Sequence, residues 1–189
     1  MLSYIKWTFW GVFWALLLAF LHYTLPTWDV VRITDSYNRN EPIPVGSIFW
    51  ANSKPGQVQG DTVTRDVFFI QAARPNAATI VYRNEDTGFG WPPYFKFNSS
   101  NVQAQAGDFV SSLGEPRWVA IKHYGWRWEL NSLFPNAVRI KEVDGPDARV
   151  VPWVSISILV GIGLVFFGIW SRWRKFWAER ERHLLDDPV

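Results

Sequence analysis

The chain has 189 residues and a net charge of +2, with no cysteine and 13 tryptophans. The missing cysteine excludes a disulfide framework, a thiolate nucleophile and cysteine metal sites. From Pro26 to Arg149 the 13 Lys/Arg and 13 Asp/Glu balance. That argues against nucleic acid as a partner, because a groove that tracks phosphates needs surplus cations.

Residues 1–6 read as a cytoplasmic N-terminus. No charged residue falls between Lys6 and Asp29, or between Arg149 and Arg172. The two uncharged runs, residues 7–28 and 150–171, each reach about 33 Å as helices, enough to cross a bilayer's hydrocarbon core. The first run leaves through His22-Tyr23-Thr24-Leu25-Pro26, without the small residues of a signal-peptidase site, so an uncleaved anchor is expected. His22 lies near the outer end of its span, where snorkelling to the interface suits it better than a proton relay. Small residues recur at helical spacing on both runs: Gly11, Ala15 and Ala19 on the first, Ser157 and Gly161 on the second. Such stripes let helices pack closely in lipid, although small residues are also common in membrane helices generally.

Residues 29–149 read as one β-rich domain. Val31 and Ile33 alternate with Val30, Arg32 and Thr34, the period of a half-buried strand. Further strands are expected at 47–50, 62–71, 79–82, 94–97, 117–122, 126–130 and 138–143, with Gly/Pro turns between them. A short helix is expected over 99–112, capped by Ser99 or Ser100. The fold class is therefore two transmembrane helices flanking a small, mainly-β extracytoplasmic domain with one short helix. Barrel and sandwich both remain open.

Residues 172–189 form a basic, aromatic tail. Arg172, Trp173, Arg174, Lys175 and Trp177 continue the second helix past the bilayer, where cations meet anionic headgroups and tryptophan anchors the interface. The cations place this end in the cytoplasm, and two spans place the N-terminus there too. The tail is either an ordinary stop-transfer flank or a docking helix.

Two stretches hold the candidate chemistry. In 82–94, Arg83, Asn84, Glu85 and Asp86 sit in a Gly/Pro-rich turn with Trp91 and Tyr94. It reads either as a hairpin whose aromatics pack on the sheet or as a binding loop with a polar tip; a metal loop has no supporting spacing. In 122–128, His123, Tyr124, Trp126, Arg127 and Trp128 have the composition of a protein interface, or of core on one face and rim on the other. A membrane-tethered hydrolase would need His123 to face a carboxylate such as Glu85 or Asp86 across a cleft. No phosphate loop, dinucleotide fingerprint or metal motif occurs, so no catalytic residue, metal or cofactor is expected.

At these residues the chain resembles the two-pass membrane proteins of alphaproteobacteria grouped as domain of unknown function 1523. The matching pieces are Lys6-Trp7-Thr8-Phe9-Trp10, His22 to Pro26, Tyr82 to Gly88, Trp91 to Phe97, His123 to Arg127, Phe134 to Ala137 and Val143 to Pro146. The resemblance implies a bacterial inner membrane with a periplasmic domain, and it supplies no activity. The expected function is a non-catalytic accessory protein docking on a larger membrane complex. The alternatives are a tethered module for a glycan, lipid headgroup or ion, and the hydrolase. The expected partners are the lipid bilayer and another membrane protein or a second copy.

Overall fold

A computed structural model describes residues 2–44, 57–59, 62–89, 95–130 and 133–186. The chain divides into two units, 1–151 and 152–189.

In the first unit, α1 (Leu2–Thr24) leads into β1 (Thr27–Pro44), followed by β2 (Gln57–Gln59), β3 (Thr62–Ala73), β4 (Thr79–Asn84), α2 (Ser99–Asp108), β5 (Trp118–Tyr124) and β6 (Asn136–Glu142). The strands are ordered β1-β5-β6-β4-β3-β2, and β1 also pairs with β3. That extra pairing closes a ring of five strands. β1 makes it possible by serving both neighbours: Thr27 to Arg32 pair with β5, and Arg32 to Pro44 pair with β3. The ladder shifts register between Ile33 and Asp35, and such a bulge bends the strand where it changes partner. β4 and β6 run parallel and all other pairs are antiparallel. This order, with a helix between the third and fourth ring strands, is the Greek-key arrangement of OB-type barrels. The choice left open by the strand pattern is thus settled as a barrel.

Alternation sets the core. Val31 and Ile33 of β1, Ile70 and Ala72 of β3, Ile80 and Tyr82 of β4, Val119 and Ile121 of β5 and Ile140 of β6 form one buried cluster. Burying each large aliphatic side chain contributes about 1.5–3 kcal/mol. α2 adds Val102 and Ala106, one turn apart, and Phe109 just beyond its end.

Several sequence expectations change. Residues 95–97 form no strand, and 126–130 contributes only an isolated bridge, Trp128 to Leu133. The expected strand at 47–50 lies outside the described residues. The helix ends at Asp108 rather than Ser112, and its N-cap is Asn98, which makes no side-chain cap bond. Asp86 does that work from outside the helix: its carboxylate accepts from the Ser99 N–H at 2.7 Å and the Ser99 hydroxyl at 2.8 Å. A carboxylate at a helix N-terminus satisfies an orphan donor and suits the helix dipole.

The second unit is α3 (Trp153–Asp186). Within Tyr4–Thr24 and Trp153–Arg180 the most apolar 18-residue windows reach mean hydropathies of 1.5 and 2.2, and both helices are long and apolar enough to cross a membrane. Their most apolar windows are 0% and 6% buried, whereas a core helix of a soluble protein covers its apolar face.

Candidate functional site

The stretch from Tyr82 to Gly88 is bound into the barrel wall. The β4–β6 ladder registers only Arg83 against Asn136, and a side chain extends it. The Asn136 amide accepts from the Glu85 N–H at 2.9 Å and donates to the Glu85 carbonyl at 3.1 Å. It thereby reproduces with one side chain the paired bonds of a ladder. The same amide nitrogen donates to the Tyr124 hydroxyl at 2.8 Å. Burial pushes the Tyr124 phenol up to about 12, with Arg83 and the Asn136 bond working the other way. Asn84, 1% exposed, donates to the Ser99 carbonyl at 2.8 Å and to Gln103 at 3.1 Å. Gln103 in turn donates to Ser36 and to the carbonyls of Tyr37 and Phe69. Lys96 is buried, and its ammonium donates to the Asn84 side chain and the Glu85 carbonyl. Thr87 accepts from the Lys96 N–H, and Gly88, at φ 55°, bonds the Lys96 carbonyl. Arg83 and Glu85 are both buried and lie 3.6 Å apart.

Thus Arg83, Asn84, Glu85 and Asp86 are placed inside the wall, holding the turn. Trp91 and Tyr94 lie outside the described residues. Among the described residues the segment turns Phe89, Phe95 and Phe97 outward, with Phe89 5.2 Å from Phe97 and 6.0 Å from Phe95 between ring centres.

The second stretch divides. His123 and Tyr124 are buried. Trp126 is half-buried on the end of α1, donating to His22 Nδ1 at 2.7 Å and meeting the Tyr23 ring edge-on at 5.5 Å. The Gly125 N–H donates to the Tyr23 carbonyl at 2.9 Å, and Tyr23 hydrogen-bonds Arg83. Gly125 holds φ 87°, with the Tyr23 ring 3.6 Å from where a Cβ would stand. Arg127 lies over the Phe134 ring at 4.4 Å and donates to the Leu133 carbonyl. Trp128 stays 45% exposed.

His123 meets neither Glu85 nor Asp86. Its Nε2 lies 3.3 Å from Asp29 and 3.4 Å from the Thr27 hydroxyl. Asp29 also accepts from the Tyr82 hydroxyl at 2.7 Å and from Arg74 at 2.8 Å. Burial works to raise the Asp29 carboxyl, but His123, Arg74 and Tyr82 outweigh it and hold it well below the usual carboxylate range. Burial first, then the Asp29 charge, raises the Tyr82 phenol far above its ordinary value. The cluster ties β1, β4, β5 and the end of β3 together. Sequence reasoning missed Asp29, Arg74 and Tyr82. The signal was present: Asp29 continues the Val31/Ile33 face by two residues.

On the apolar helices, a methyl group added at Gly11 or Gly161 meets nothing within 4 Å; Ala15, Ala19 and Ser157 lie on the same two helices. In the tail, Trp173 and Trp177 pair at 6.3 Å and Arg174 lies over Trp170 at 5.0 Å, with Arg172 and Lys175 beside them on α3. No group of three or more metal-ligating side chains occurs among the described residues.

A barrel led in by an apolar helix and followed by a second defines the class of molecule. The model of the family "Protein of unknown function (DUF1523)" matches residues 2–177, and the chain belongs to that family. A Haemophilus influenzae protein described as uncharacterized is 35% identical over 157 residues, covering 79% of this chain and 82% of that protein. No solved structure matches.

Proposed function

We propose that this is a non-catalytic accessory protein of a bacterial inner membrane, with two spans, both termini cytoplasmic and a periplasmic barrel. The carrying observation is the junction between α1 and the barrel. The helix ends at Thr24 and β1 starts at Thr27, and His22, Tyr23, Gly125 and Trp126 bond across the join. A flexible tether would let the domain roam; this join holds it at a set position beside the end of α1. That is the requirement for presenting a surface to a membrane neighbour. The inward groups of the Tyr82–Gly88 segment, with Asn84 and Asp86 bonded within the wall and Arg83 and Glu85 buried beside each other, favour this reading over a ligand site at that loop. The pairing of His123 with Asp29, braced by Arg74 and Tyr82, favours a structural role for the histidine over a hydrolase built with Glu85 or Asp86.

The test is mild affinity purification of the tagged chain from native membranes, with mass spectrometry of what co-elutes. A stoichiometric membrane partner is expected. Recovery of a lone monomer under several detergents would overturn the accessory reading.

A further inference from the structure

Lys122 of β5 and Arg139 of β6 are direct cross-strand partners. Like charges so placed repel. Among the described residues, neither cation makes an ion pair with a carboxylate. Burial, and then Arg139, lower the Lys122 ammonium from its ordinary value. Beside them the ladder skips one residue: Lys122 pairs with Arg139 and His123 with Ala137, leaving Val138 as a bulge. Bulges re-aim neighbouring side chains.

These residues form one wall of a groove of about 600 Å³, with Phe95, Phe97 and Asn98 on the other. Phe95 holds φ at 49°, the left-handed region, a conformation that costs a non-glycine residue energy. Its ring, with those of Phe89 and Phe97, forms an exposed aromatic patch next to the cation pair. The groove also stands near the end of α1. Lys122 is three residues from Gly125, whose N–H bonds the Tyr23 carbonyl, a separation of about 10 Å along a strand. Uncompensated cations answer phosphate, and aromatic rings answer the glycerol and upper acyl region of a bilayer.

We propose that this groove binds the phosphodiester headgroup of an anionic phospholipid at the membrane surface where α1 emerges. Lys122 and Arg139 take the phosphate, and Phe89, Phe95 and Phe97 rest against the lipid body. The proposal rests on α1 being a membrane span, and it would give the barrel a second hold on the bilayer.

The test uses the full chain in nanodiscs of phosphatidylcholine with increasing phosphatidylglycerol, followed by native mass spectrometry of retained lipid. The wild type is expected to retain phosphatidylglycerol about tenfold over phosphatidylcholine, and K122Q/R139Q to fall within about twofold. K122R/R139K should keep the preference. R174Q/K175Q, which removes tail cations, should keep most of it. Because K122Q/R139Q relieves a repulsion, its thermal midpoint should hold or rise, which separates loss of binding from loss of fold. An unchanged preference in K122Q/R139Q would overturn the proposal. So would competition by free glycerol phosphate as strong as that by the lipid, which would mark a soluble-anion site. Extraction of the chain from membranes by alkaline carbonate would instead sink the membrane reading itself.

Discussion

Two polar clusters hold the barrel, one buried and one partly exposed, and they are built from different chemistry. At the β4–β6 seam the links run largely through amides: Asn136 on Glu85, and Asn84 on Ser99 and Gln103. Below the start of β1 the links are ionic: Asp29 gathers Arg74, His123 and Tyr82. An amide offers a donor and an acceptor on one rigid group, so it can stand in for a stretch of backbone. A carboxylate only accepts, so it draws donors from several strands to one point. The seam is therefore expected to be insensitive to pH, and the Asp29 cluster sensitive to acid.

Asn136→Ala is expected to have the largest effect. It leaves the Glu85 N–H and carbonyl without their amide partner and removes a bond to Tyr124, costing about 3 kcal/mol. Urea unfolding of the detergent-solubilised chain should show that loss equally at pH 5 and pH 8. A cost confined to one pH would show that charge, not amide geometry, holds the seam.

Asp29→Asn comes next, at about 2 kcal/mol near neutral pH. The folded carboxyl is depressed, so its stabilisation is present above the unfolded pKa, about 4, and is lost as pH falls toward the folded value. Wild-type stability should therefore decline progressively below pH 4, while Asp29→Asn stays flatter and the two curves converge. Parallel curves would mean that Asp29 is not the group that titrates.

Trp126→Phe keeps the ring contact with Tyr23 but removes the bond to His22, at a cost of about 1 kcal/mol. Hydrogen exchange should quicken at Gly125 and in the last turn of α1 while the strands stay protected. Exchange quickening throughout the barrel would show that the join and the barrel unfold as one unit. The smallest effect is expected for Phe89→Ser, within about 0.5 kcal/mol, because the ring is exposed and, among the described residues, its ring partners are the equally exposed Phe95 and Phe97. A larger drop in thermal midpoint would place that ring in the fold rather than on its surface.

Much of the fold was legible wherever a local pattern carried it. The alternation of Val31 and Ile33 and the β-branched and aromatic run after Thr62 each report burial of their own segment. Residues 95–97 failed as a strand because the Phe95 and Phe97 rings stay outside and Lys96 turns inward to Asn84. The site was less legible. The polar groups of 82–88 look like a binding tip in sequence, since nothing local tells an engaged amide from a free one. Their partners Asn136, Ser99, Gln103 and Lys96 come from other elements.

The sequence by itself determined the two apolar helices, the mainly-β character of the region between them and the absence of cysteine chemistry. Each depends on composition or short-range periodicity, which an apolar surrounding imposes residue by residue. Only the tertiary structure decided that the strands close into a barrel, that Asp86 caps a helix thirteen residues away and that His123 answers to Asp29. It also decided that two like charges share one groove. These are pairings between distant segments, and a pairing depends on which strands become neighbours, a choice that no window of sequence contains.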